Sequence, residues 1–220
     1  MTQDIWQITG FTIVAALAAT LVMLVPGIGL AWLLARREFR GKSVVETLVS
    51  LPLVLPPVAT GLLLLLTFGP RGPAGRALAL VGIDVVFTPA AVVLAMAVMG
   101  FPLLVRTTRT GFEQVTRRYE QMAETLGATP WRVFSTITLP LSANTIAAGA
   151  ALGFSRALGE FGATIVVAGS IPGRTRTLAV GIYSFIETGR DTDAILLLLT
   201  SATIAFASVF VSNRLSRAAK

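Results

Sequence analysis

The sequence has neither histidine nor cysteine. That absence excludes disulfides, thiol nucleophiles, thiolate metal sites, imidazole acid–base chemistry and haem ligation by imidazole. Charge is also scarce: 13% of the 220 residues are charged, while 54% are apolar. With a mean hydropathy of +0.78, the chain has too few charges to coat a water-soluble domain of this size. A bilayer is therefore expected to replace water over much of its surface. Continuous hydrophobicity over residues 1–220 suggests one membrane domain with no soluble catalytic unit, so any ATPase or receptor would be a separate chain.

What is present is a series of long uncharged runs. About 20 apolar residues are needed to cross a hydrocarbon core of roughly 30 Å, and five runs qualify: Ile5 to Ala35, Val44 to Phe68, Val85 to Val105, Leu141 to Glu160 and Ala194 to Val211. The first lacks a basic start and is followed by another span, so it reads as a mature helix and not a cleaved signal. Pro26, Pro52, Pro56, Pro57 and Pro102 fall in or beside the runs, and such prolines are tolerated where neighbouring helices satisfy the freed backbone groups. Gly149 and Gly153, among Ala147, Ala150 and Ala151, make a small surface suited to close helix approach. The fold class expected is all-α and polytopic, with about five transmembrane helices.

The formal charge of +7 is read as a positive-inside bias and not as nucleic-acid binding. Arg36, Arg37, Arg40 and Lys42 lie between the first two runs. Arg106, Arg109, Arg117, Arg118 and Arg132 lie between the third and fourth, and Arg214, Arg217 and Lys220 follow the fifth. Twelve of the eighteen basic residues thus share one side. The amino terminus is expected outside and the carboxyl terminus in the cytoplasm. Between the fourth and fifth runs, Ala163 to Ile171 and Thr177 to Ile186 are apolar but too short to span; they suggest a re-entrant or surface-lying segment, with a sixth span as the alternative.

The cytoplasmic loop at about 112–140 carries the clearest local signals. Phe112, Val115, Tyr119 and Met122 to Leu126 give a helical stripe. Gly127 is a natural helix stop, and Thr129 followed by Pro130 is a start signal for a second helix. The run Glu120-Gln121-Met122-Ala123-Glu124-Thr125-Leu126-Gly127, nine residues, then Ile137-Thr138-Leu139-Pro140 resembles the signature loop of ABC importer permeases. The one departure is Gln121-Met122-Ala123 where that family usually has Glu-Ala-Ala.

That resemblance implies a type I ABC importer permease-like fold. In such permeases the loop is a coupling helix seated on the ATPase, a role it would give to Glu120, Gln121, Met122, Ala123, Glu124, Leu126, Gly127, Ala128 and Trp131. Implied partners are two ABC ATPase subunits, an extracytoplasmic oxyanion-binding protein and, by two-fold symmetry, a second permease copy or a homologous permease. The place implied is a bacterial-type inner membrane. Two further runs, Leu51 to Val58 and Arg156-Ala157-Leu158-Gly159-Glu160-Phe161-Gly162-Ala163-Thr164, together with Ile171 to Thr177, resemble molybdate permeases. This implies molybdate as cargo, carried by alternating access, with tungstate or sulfate and thiosulfate as alternatives. No cofactor or metal is implied.

Arg156 and Glu160, four residues apart, can pair on one helix face. They are read equally as the border of an outer gate or as a pair that fixes packing. Thr60, Ser155 and Thr164 are candidate path residues because an oxyanion needs only weak polar contacts if a binding protein supplies selectivity. Arg174 and Arg176 are expected to be solvated, the alternative being contact with the acidic surface of a binding protein. Gly41-Lys42-Ser43 resembles the end of a phosphate loop, but Arg36 stands where its first glycine would be and a membrane helix precedes it. A membrane-embedded enzyme would need converging carboxylates or histidines, whereas Glu160, Glu187, Asp191 and Asp193 are scattered. A channel needing no ATPase is the remaining rival.

Overall fold

The structure is a computed structural model that describes the backbone of residues 2–218 and the side chains of residues 4–214. Lys220 and the side chain of Arg217, counted above among the basic residues, lie outside that description. The chain is helical, with no strand among the described residues. In order come α1 (Thr2–Arg36), α2 (Lys42–Val54), α3 (Pro57–Phe68), α4 (Pro73–Ala79) and α5 (Pro89–Gln114). Then follow α6 (Arg117–Thr125), α7 (Pro130–Val133), a π-helical turn (Phe134–Thr138), α8 (Leu139–Leu141), α9 (Ala143–Leu158), α10 (Gly162–Val167), α11 (Leu178–Glu187) and α12 (Asp191–Ala218).

Three helices, α1, α5 and α12, are each long and apolar enough to cross a membrane. Two bent pairs bring the total to five if each pair is one span: α2 with α3, bent by 114°, and the stretch Pro130–Leu141 with α9, bent by 70°. The second span is thus not the single run its composition suggested. Its break has a local cause: Leu55 and Pro56 each precede a proline and are extended, with ψ of 143° and 132°, because a following proline ring disfavours helical backbone. Pro26, Pro52 and Pro102 instead lie inside helices, where the surrounding bundle tolerates them. At 16 residues α9 is only ~24 Å long, shorter than the hydrocarbon core.

The core runs along α1 at three levels. Ile8 packs with Leu178, Phe185 and Leu197 at one end. Ala15, Ala16, Ala19 and Met23 meet Ala91, Ala95, Met96 and Ala157 in the middle, and Ala31 and Leu34 meet Val105, Phe112 and Ile146 at the other. Small residues set these spacings. A Cβ on Gly153 would lie 2.5 Å from Met23 Cε, and one on Gly149 would lie 3.2 Å from the Leu104 carbonyl, so α9 approaches α1 and α5 as closely as its glycines and alanines foretold. The segment 161–193 adds no sixth span. α10 packs on α3 and α5, and α11, ten residues long, packs on α12 and α1.

Candidate functional site

The hairpin formed by α6 and α7 is built by local signals. Gly127 has φ +84°. Gly127 N–H donates to the Glu124 carbonyl (2.9 Å) and Ala128 N–H to the Ala123 carbonyl (3.0 Å). This paired arrangement closes a helix on a left-handed residue. Two residues later the Thr129 hydroxyl accepts from Arg132 N–H (3.4 Å) and Pro130 takes the first helical position, as the sequence signals required.

The inner face of the hairpin is tied to the spans. Glu120 Oε1 lies 3.0 Å from Arg36 Nη2 at the end of α1 and accepts from Thr138 Oγ1 (2.6 Å) in the π turn. Arg36 Nη2 also donates to the Val115 carbonyl (3.0 Å). Phe134 stands among Trp32 of α1, Phe112 of α5 and Trp131 of α7, with ring centroids 5.7, 6.1 and 5.7 Å away. The end of α1, the end of α5 and the approach to α9 are therefore clasped around one ring. Beside this clasp, Arg109 bridges Glu46 of α2 and Glu113 at 2.7 Å each. In the loop leading to α2, the Lys42 ammonium hydrogen-bonded to Glu38 holds that carboxyl below its usual range. Lys42 of the Gly41-Lys42-Ser43 run is engaged in this pair.

The outer face carries uncovered apolar side chains: Tyr119 and Met122 are each 55% exposed and Leu126 is 88% exposed. Gln121, Glu124 and Gly127 are exposed as well, while Ala123 and Ala128 are half-buried. Of the residues grouped by sequence, Glu120 points inward onto Arg36 and is not part of this face. Trp131, though exposed, leans on Phe134.

The second constellation lies where α9 passes into α10. Arg156 Nη1 pairs with Glu160 Oε2 at 2.7 Å, and Glu160 is 1% exposed. Its other oxygen accepts from Ala163 N–H at 2.8 Å, so the carboxylate also caps the first turn of α10. There α10 meets α3 with almost no space. A Cβ on Gly61 would lie 2.8 Å from Ala163 Cα, and one on Gly162 would lie 2.7 Å from Pro57 Cβ. The two runs singled out separately, residues 51–58 and 156–164, thus adjoin in space. Thr60 and Thr164 are buried there with hydroxyls that lack any hydrogen-bond partner. Ser155 stands apart, donating to the Ala151 carbonyl of its own helix (2.8 Å).

In the outer loop Arg174 is exposed, as expected. Arg176 is not simply solvated: its Nε donates to Ser170 Oγ (3.1 Å) and its guanidinium lies over the Phe185 ring. Arg36, Trp32, Thr138 and Phe134 were absent from the sequence-derived set. Arg36, Trp32 and Phe134 offered only basic or hydrophobic character, shared with many neighbours, and Thr138 lay within the Ile137-Thr138-Leu139-Pro140 run with no role of its own.

Residues 27–219 match the family described as "Binding-protein-dependent transport system inner membrane component". The chain is 45% identical over 219 residues to the molybdenum transport system permease protein ModB of Escherichia coli K12, covering 99% of this chain and 96% of that one. It is 45% identical to the protein of that name from Haemophilus influenzae, covering 92% and 89%. A probable sulfate transport system permease protein, cysT, of Marchantia polymorpha is 34% identical, covering 94% and 72%. Among solved structures, a bacterial alginate ABC transporter in complex with its alginate-bound periplasmic protein aligns with a TM-score of 0.72 at 19% identity, covering 96% and 77%. The inward-facing MetNI methionine ABC transporter aligns at 0.71 and 16% identity, covering 100% and 96%.

Proposed function

The chain belongs to the family of binding-protein-dependent transport system inner membrane components, and we propose that it is the permease subunit of an ATP-driven importer whose cargo is molybdate. One observation carries this reading: 45% identity to a molybdenum permease extends over 99% of the chain, hairpin included. Sulfate-type relatives are also similar, but at 34% identity and over 72% of their length. Tungstate, with the same charge and shape as molybdate, fits the same path.

The geometry suits mechanical coupling. A separate ATPase subunit binds the outer face of the hairpin at Gln121, Met122 and Leu126. Because Glu120 and Phe134 tie the inner face to α1, α5 and the approach to α9, a displacement of the hairpin moves those helices together as a rigid body. The breaks at Leu55-Pro56 and at Ser142 are where bent spans can change angle. Two copies, related by two-fold symmetry, present one hairpin each to a pair of ATPase subunits. The α3–α10 contact then lines the path, where the free hydroxyls of Thr60 and Thr164 offer weak bonds to a passing oxyanion. Glu160 and Arg156 hold that contact in shape. The amino terminus faces outward, toward an oxyanion-binding protein that supplies selectivity.

The test is ATP hydrolysis by the reconstituted permease and ATPase. Molybdate-loaded binding protein is expected to raise the rate several-fold over the unloaded protein. No stimulation by the loaded form would contradict the reading.

A further inference from the structure

Between the hairpin and α9 the backbone leaves the α-helical pattern. Leu139 N–H donates to the Phe134 carbonyl, five residues back, so the π turn holds an extra residue where a regular turn would stand. Local chemistry accounts for it. Pro140 has no N–H to give, and its ring crowds the carbonyl four residues before it, that of Thr136. The hydroxyls of Thr136 and Ser135 meanwhile donate to the Arg132 carbonyl at 2.6 and 3.3 Å, and such side-chain bonds bend helices.

Both ends of this turn are held, by different means. Phe134 opens it inside the clasp of Trp32, Phe112 and Trp131. Thr138 closes it, 1% exposed, with its hydroxyl donating to Glu120 Oε1 of α6 at 2.6 Å. The Glu120 side chain is only 15% exposed, so water competes little for this bond. Past Thr138 the chain loosens. Ser142 N–H is shared between the Thr138 and Leu139 carbonyls at 3.1 and 3.2 Å, and α9 departs with the bend of 70°. The Ser142 hydroxyl is buried without a partner; an unpaired buried hydroxyl costs free energy, so the joint gains nothing from its own side chain at this angle. Beyond it, α9 carries Arg156 and leads to Glu160, which caps α10.

We propose that Thr138 is a positioning residue: its hydrogen bond to Glu120 makes the π turn a stiff spacer, so that a displacement of the hairpin turns α9 at Ser142 and reaches the α3–α10 contact. The proposal rests on the coupling reading above and is independent of the cargo. Without the bond, the far end of the turn is released while Phe134 stays clasped, and the turn takes up the displacement itself. Glu120 keeps Arg36 in either case, so the hairpin stays on α1.

The test uses the full permease with its ATPase in vesicles. The chain has no cysteine, so Gly159→Cys, at the exposed end of α9 where an added Cβ meets nothing within 4 Å, gives one thiol. Its rate of reaction with a maleimide reports the position of α9. ATP is expected to change that rate while Thr138 is in place. Thr138→Val, which keeps the shape and lacks the donor, and Thr138→Ala, which lacks it without crowding, are each expected to lose the change while ATP hydrolysis persists. Thr138→Ser is expected to restore it. Molybdate carried per ATP hydrolysed should fall about tenfold in the valine and alanine variants, the weight of one hydrogen bond to a carboxylate. A full ATP-dependent change in either variant without the donor, or its loss in Thr138→Ser, overturns the role of Thr138. A thiol indifferent to ATP even with Thr138 in place overturns the coupling reading, and this link with it.

Discussion

Glu160 shows most clearly how a single side chain is committed. One oxygen pairs with Arg156 and the other caps α10, so a neutral amide would lose the charge that both contacts use. Glu160→Gln leaves Arg156, whose side chain is 26% exposed, without its counter-ion, and the weakened charge-assisted hydrogen bonds cost about 1.5–3 kcal/mol. The purified variant should therefore unfold at a clearly lower temperature than the parent, and an unchanged midpoint would argue that the pair is idle. Gly127, at φ +84°, sits in a backbone region that costs a β-branched side chain about 1–2 kcal/mol. Gly127→Val should insert in the membrane at normal levels yet transport more slowly, measured as uptake per unit of permease. The helix stop and the Thr129-Pro130 start were legible in the sequence because each depends on residues within a few positions. The inward direction of Glu120 was not, since its partner Arg36 lies 84 positions away and only the assembled bundle brings them together.

At the scale of elements, the sequence marked all five apolar segments, because length and lack of charge are enough to mark a span. It did not reveal that α2 and α3 meet at 114°. Pro56-Pro57 marks a break, but the angle is set by what α3 packs against. That partner is α10, itself a short helix hidden inside a loop. The contact depends on Gly61 and Gly162, and a Cβ at Gly61 would meet Ala163 backbone atoms at 2.8 Å, which cannot rotate aside. Gly61→Ala is expected to force α3 and α10 apart at a cost of about 1–3 kcal/mol. A thermal midpoint lower than the parent's, with transport reduced, is the expected result; a midpoint equal to the parent's would show that the two helices are not packed as described. The resemblance of residues 51–58 and 156–164 to one family pointed to both runs, but their adjacency came only from the fold.

The whole molecule is incomplete as a water-soluble object. Only 11% of the most apolar stretch of α12 is buried, and Ile195, Leu198, Leu199, Phe206 and Phe210 are exposed along it. Lipid or a second copy must cover that surface. In the two-fold arrangement proposed above, one chain would likewise supply one hairpin and one α3–α10 contact. Composition made the membrane setting legible, while the partnership with an ATPase was legible only through the hairpin's resemblance to a family. The central claim joins that hairpin to a cargo. Its most direct test is ATP-driven uptake of labelled molybdate into proteoliposomes holding this permease with its ATPase and binding protein, with tungstate or sulfate in excess. Uptake that needs ATP and is blocked by tungstate but not by sulfate is the predicted result; uptake of labelled sulfate in its place, or molybdate entry without ATP, would contradict the account.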